Sequence, residues 1–248
     1  MDLTPDGRTL VTGADDGTVL QWDLADPADV PAPTLLGETG EIVWSVAVAP
    51  DGGTAATASE DGSIHLWDLG EGSTTPSRLA DLHPDALTVA FTPDGELLLA
   101  GNGAGEVTGW TLADGRVAIP PFHAHRSDVW EIEFDPSGNR FATASSDQRV
   151  RVWDTATSER ASEPFTGSAD DVRGVLMDDE GHVLAGDEQG RLLVAPLDGS
   201  TGPVASDPRH ATQVVDAALG GDTLATLGRD QEMQVWSPGE PTALTIVE

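Results

Sequence analysis

Five tryptophans, Trp22, Trp67, Trp110, Trp153 and Trp236, each close an alternating stretch such as Ser63-Ile64-His65-Leu66, and the intervals between them are 45, 43, 43 and 83 residues. Midway through the long interval, Leu192-Leu193-Val194-Ala195-Pro196-Leu197 repeats the pattern with Ala195 in the Trp place, which splits 83 into 42 and 41. One segment is therefore written six times. A segment of this length cannot bury an apolar face alone, so neighbouring copies must stack. The expectation is a single domain over residues 1–248, with copies at about 1–37, 38–82, 83–124, 125–167, 168–208 and 209–248.

Each copy reads as four short strands. The first ends in a turn: Thr4-Pro5-Asp6-Gly7, Ala49-Pro50-Asp51-Gly52, Thr92-Pro93-Asp94-Gly95 or Asp135-Pro136-Ser137-Gly138. Pro presets φ at the second turn position, Asp or Ser bonds its own backbone, and Gly supplies the positive φ that closes the hairpin. A second strand follows, as in Leu10-Val11-Thr12 or Phe141-Ala142-Thr143. A second tight turn carries Asp16-Gly17, Asp61-Gly62 or Asp147-Gln148, and the third strand runs into the Trp. A looser segment rich in Pro and Ser leads to the fourth.

Composition narrows the function. Apolar residues make up 38% and charged residues 22%, as in ordered globular chains. Forty-three acidic residues face twelve basic ones, all Arg, for a net charge of −31. That field repels a phosphate backbone and an anionic membrane, and it attracts basic protein segments. The plain alternative is that acidity only keeps the chain soluble, or reflects a high-salt or GC-rich source. With no Cys there is no disulfide, thiolate zinc site or cysteine nucleophile. No apolar run approaches the roughly 20 residues of a membrane span, and the first residues lack the basic and apolar parts of a signal peptide. The default expectation is a cytoplasmic protein without a cofactor.

The period, together with the pairs Trp22-Asp23, Trp67-Asp68 and Trp153-Asp154, resembles the WD-repeat family of β-propellers over essentially the whole chain. The resemblance implies an all-β fold of six visible four-stranded blades arranged about a channel, the first strand of each innermost. It also implies a hydrogen-bonded tetrad running from indole to hydroxyl to imidazole to carboxylate. In copy four these places hold Trp153, Thr143, His125 and Asp147. Their donor and acceptor inventories suit the relay. Copies one and two keep Thr12, Asp16, Trp22 and Thr57, Asp61, Trp67; copy six keeps His210, Thr226, Asp230 and Trp236. Copy three has Ala100 and Ala104 beside Trp110, and copy five has Ala185, Gln189 and Ala195. Thr and Asp vanish together, as partners should.

Leu3 aligns with Phe91 and Phe134, so most of the first strand of copy one is missing. Two readings stay open: a six-bladed ring with a weak seam, or a piece of a longer chain. Either way an open seam is a place for self-association. The acidic, Lys-free repeats also resemble the C-terminal propellers of bacterial regulatory proteins, where such arrays follow a kinase or NTPase segment.

The resemblance places partner contacts on the face formed by loops between one blade's outer strand and the next blade's inner strand. The position just after the first apolar residue of the inner strand belongs there, and in copies two to six it holds Trp44, Leu87, Trp130, Arg173 and Val215. Trp and Arg supply contact area and directional donors. The competing reading packs the indoles beneath their own loops.

Other constellations are weaker. His123-Ala124-His125 has the spacing of two metal ligands, but the tetrad claims His125 and no third ligand is evident. Gly101-Asn102-Gly103-Ala104-Gly105 lacks the Lys and the following helix of a phosphate loop. The pairs Asp15-Asp16, Asp170-Asp171 and Asp178-Asp179, and His182, fall in turns and read as solvated. No nucleophile-elbow context surrounds any Ser, and no loop motif supports calcium. The expectation is a non-catalytic docking propeller. The alternative is a ligand-binding, metal-dependent or enzymatic propeller using the channel, for which only Glu131 and Glu133 stand inward on a first strand.

Overall fold

The protein is described here by a computed structural model covering residues 1–26, 30–70, 76–162, 165–166, 168, 170–178, 181–197, 204–205, 210, 213–220, 223–229, 232–236 and 243–247. These residues form six four-stranded antiparallel sheets, each made of four consecutive strands laid side by side in chain order. Sheets one to six begin at Asp2, Val43, Thr88, Val129, Val172 and Val214. There is no helix among the described residues. The first strand of sheet one spans only Asp2–Leu3, pairing with Val11 and Leu10.

Short hairpins drive this topology, because every strand pairs with its neighbour in sequence and each closing turn is locally encoded. Between second and third strands, Gly17, Gly62, Gly105 and Gly190 take φ of 82°, 85°, 81° and 78°. Sheet four has Gln148 in the same place at φ 66°, a left-handed conformation that costs a side-chain-bearing residue about 1 kcal/mol.

The chain divides into two compact units, Met1–His123 with sheets one to three and Ala124–Glu248 with sheets four to six. Within each unit the sheets stack face to face, so the second strand of the middle sheet is covered on both sides. Its sequence loses the alternation of a half-exposed strand for that reason: Thr54–Ser59 carries Ala55, Ala56 and Ala58, all fully buried. Small residues recur nine before the Trp place because the next sheet's first strand rests on them. Gly13 lies against Val43 and Ala58 packs with Ala86 in the first unit; Ala144 packs with Val172, and Gly186 lies under Val214, in the second. A Cβ on Gly186 would sit 2.8 Å from Val214 Cβ.

Candidate functional site

Sheet four shows what the recurring Trp is for. The indole Nε1–H of Trp153 donates to Thr143 Oγ1 at 2.9 Å. An ionised Asp147 can only accept, so His125 Nδ1–H donates to its Oδ1 at 3.0 Å, which leaves Nε2 to accept the proton of the Thr143 hydroxyl 2.7 Å away. Arg151 adds a charged donor to the other carboxylate oxygen at 2.8 Å and also lies against the imidazole. Burial disfavours the imidazolium and pushes the His125 pKa down, with Asp147 opposing only in part. Burial alone would raise the Asp147 pKa, but the bonds from His125 and Arg151 outweigh it and hold the carboxyl far below its usual range. The Thr–His–Asp geometry is that of a nucleophilic triad. Its chemistry is blocked, because Thr143 is completely buried and its hydroxyl is engaged by the indole.

The same bonds recur in part elsewhere. Trp22 donates to Thr12 at 3.0 Å and Trp67 to Thr57 at 2.9 Å, while His210 Nε2 lies 2.8 Å from Thr226 Oγ1. Asp230 lies outside the described residues, as does the side chain of Trp236. Asp16 and Asp61 accept from the backbone of Thr18 and Ser63, closing their own turns. Thr39 stands 28 residues before Trp67, the offset that separates His125 from Trp153, and its hydroxyl bonds loop carbonyls. On the Thr57 face of sheet two, Ser59 Oγ and His65 Nδ1 are buried without a hydrogen-bond partner.

Sheets three and five use another lock, missed from the sequence. Eight residues before the Trp place, where Ala14, Ser59, Ser145 and Gly228 stand in the other copies, these two carry Asn102 and Asp187. Asn102 Oδ1 accepts from the N–H groups of Ala104 and Glu106, and its Nδ2 donates to His83 O at 3.0 Å. Asp187, fully buried, accepts from the N–H groups of Gln189 and Arg191, from Ser168 Oγ at 3.0 Å, and from the Arg191 guanidinium at 2.7 Å. Each side chain ties its turn to the loop arriving from the preceding sheet, the connection His125 makes in sheet four.

The rim positions share a device that alternation could not reveal. In sheet two Val43 pairs with Ser59 but Ser45 with Ala58, so Trp44 is the extra residue of a β-bulge. The same register shift occurs at Trp130 in sheet four, Arg173 in sheet five and Val215 in sheet six. A bulged residue is re-aimed out of the pleat, and bulges are used for that purpose beside functional sites. Trp44 is 45% exposed, whereas Leu87 is 5% exposed and presents almost no surface. The side chain of Val215 lies outside the description.

In the second unit the bulges meet. The Arg173 guanidinium carbon sits 3.7 Å from the centroid of the Trp130 ring, a cation–π stack. Glu188 anchors that guanidinium at 2.9 Å, with Asp171 at 3.8 Å. Trp130 Nε1–H donates to Ser146 Oγ at 2.7 Å, and Ser146 lies 2.8 Å from the Asp171 carboxylate. Trp130 thus combines the two readings: it is half-buried, and what covers it is a rim residue. Glu60, Ser146 and Glu188, each seven before the Trp place, and Asp85, Asp128 and Asp171, each two before the bulge place, complete the face. Counting from Trp could have found them.

Elsewhere, Glu131 Oε2 accepts from Val175 N at 3.2 Å. His123 lies 3.6 Å from Glu106, and His182 Nδ1 bonds Asp178 within its turn. Among the described residues no three His, Asp or Glu side chains gather in a way that could hold a metal ion, and no helix is long and apolar enough to cross a membrane.

Comparison with known proteins places the geometry. The family model for the WD domain, G-beta repeat, matches residues 1–23, 30–68 and 114–154. The crystal structure of the WD40 β-propeller domain of Doa1 superposes with a TM-score of 0.82 at 19% identity, over 97% of this chain and 78% of that one. No curated protein matches the chain in sequence. The chain thus carries WD repeats over these three segments and has the β-propeller fold.

Proposed function

We propose that residues 1–248 act as one non-catalytic docking domain, binding basic protein segments through the bulged rim of the blades. WD40 propellers act in general as scaffolds for protein–protein interaction, which supports the class. The observation that carries the reading is the bulge: it recurs at matching places in four blades and carries Trp44, Trp130 and Arg173, the side-chain types that dominate interfaces. The net charge of −31 selects against nucleic acid and anionic lipid and for basic partners, in a chain we place in the cytoplasm. The chemistry of the buried tetrad supports the non-enzymatic reading, since the triad-like array of blade four has no access for a substrate.

The test is capture of immobilised Arg- and Lys-rich peptides by the whole chain at low and high salt, repeated with Trp44, Trp130 and Arg173 all replaced by Ala. Capture should be lost in the variant and weakened by salt in the parent, since the attraction is screened. Capture that persists in the folded triple variant, or none at any salt, overturns the reading.

A further inference from the structure

The bulged rim of the second unit already holds a cation on its aromatic. Arg173 reaches back from blade five and sets its guanidinium carbon 3.7 Å from the centroid of the Trp130 ring in blade four. Two carboxylates hold the fork: Glu188, with Nε at 3.0 Å and Nη2 at 2.9 Å, and Asp171 at 3.8 Å. Asp128 belongs to the same cluster, 3.4 Å from Ser146 Oγ, the hydroxyl that meets Asp171 at 2.8 Å and accepts from the Trp130 indole at 2.7 Å. Three carboxylates thus gather around one guanidinium. All three are half-buried, so their charge is screened less than it would be in open water.

Arg173 is placed for release. Its strand neighbours Val172 and Gly174 pair with Asp187 and Gly186, and Arg173 is the residue looped out between them. No pleat contact depends on where its side chain points. That side chain keeps 28% exposure, and its bonds are of the kind that water weakens: a partly exposed ion pair and a cation–π stack. Turning the guanidinium outward uncovers one face of the indole and leaves the ring where Ser146 and the bulge of blade four hold it. What is then presented is an aromatic face beside carboxylates. Its complement is an arginine side chain, a planar cation that stacks and forks at once.

We propose that this face of Trp130 is a docking site for an arginine side chain of a basic partner segment, and that Arg173 occupies it in the free chain as an internal competitor. The proposal rests on the docking reading above and adds the contact and its gate. The pose of Arg173 is the template for the complex. An incoming guanidinium takes the same ring face and the same Glu188 and Asp171 oxygens while Arg173 moves to solvent. Lysine fits less well, because an ammonium is a compact, strongly hydrated charge without a flat face to stack.

The test is calorimetric titration of the full chain, at low salt, with flexible Gly/Ser peptides bearing two Arg or two citrullines. Citrulline keeps the planar shape and loses the charge. Arg173→Ala should bind the Arg peptide roughly ten-fold more tightly than the parent, because the competitor is gone. Arg126→Ala removes an exposed cation from the loop entering blade four without uncovering the ring, so its gain should be no more than about two-fold. Trp130→Leu in the Arg173→Ala background should cancel the gain. Trp130→Phe, a weaker cation–π partner, should keep part of it, and this variant carries the test if the Leu variant melts early. Binding that is unchanged or weakened in Arg173→Ala overturns the proposal. So does a gain that is matched by Arg126→Ala, retained in full without the indole, or shared by the citrulline peptide. If the Arg peptide binds no variant the proposal also falls, while capture of another basic bait, lost when Trp44, Trp130 and Arg173 are all replaced, keeps the broader docking reading.

Discussion

Blades four and five do the same job with different chemistry. Blade four joins its turn to the incoming loop through Trp153, Thr143, His125 and Asp147, a relay that runs from the outer part of the sheet to its end. Blade five has alanine at the Thr and Trp places and makes the join with one buried carboxylate, Asp187, gripped by Arg191 and Ser168. The first lock reaches deep and is mostly neutral hydrogen bonding with a charged pair at its tip. The second is short and ionic. What must be kept in a blade is therefore the tie between turn and loop, and the tetrad is one way to make it.

That comparison can be broken experimentally. Asp147→Ala should be the most damaging change, about 3–5 kcal/mol by urea unfolding, because it strands the buried Arg151 and His125 together. Asp187→Ala should cost less, about 2–3 kcal/mol, since the Arg191 side chain keeps 18% exposure and can turn to water. If both variants cost the same, the distinction between deep and short locks fails. Trp153→Phe, which deletes one donor and leaves Thr143 underbonded, should lose about 1–2 kcal/mol.

Acid should separate the locks further. The His125 pKa is lowered in the fold, so the unfolded chain binds the extra proton first. Stability then falls as pH drops below about 6.5, the imidazole's ordinary value, and falls again when the depressed Asp147 carboxyl is protonated. His125→Gln should shrink the first decline in a melting series from pH 7 to pH 5, leaving the part due to His65, whose pKa burial also lowers, and Ser168→Ala in blade five should leave its slope intact. The smallest effect belongs to the turn of blade four: Gln148→Gly, relieving the φ of 66°, should raise stability by about 0.5–1 kcal/mol. A loss there would mean that the Gln148 side chain contributes more than its strained backbone costs.

The Trp interval, the Pro-Asp-Gly turns and the joint disappearance of Thr and Asp were readable because each is a local pattern on a fixed period. The lock of blade five was not, because Asp187 in Asp187-Glu188-Gln189-Gly190 looks like any turn former, and only burial against Arg191 sets it apart. The rim positions were found by alignment, but alignment gives place and not exposure: Leu87 and Trp44 hold the same place, and one is buried. The bulges were hidden for a related reason. An extra residue at the same place in four first strands shifts none of these copies against the others, so no interval between tryptophans betrays it.

The bulge also separates what the rim does from what the interior needs. The residue before it is Val43, Val129, Val172 or Val214, buried in every case, while the bulged residue itself is Trp, Trp, Arg or Val. A looped-out residue belongs to neither side of the pleat, so its identity can drift without disturbing the valines beneath. Each blade is in that sense a socket with a replaceable tip, and a chain built from such sockets can acquire a new binding specificity one blade at a time while its scaffold stays constant.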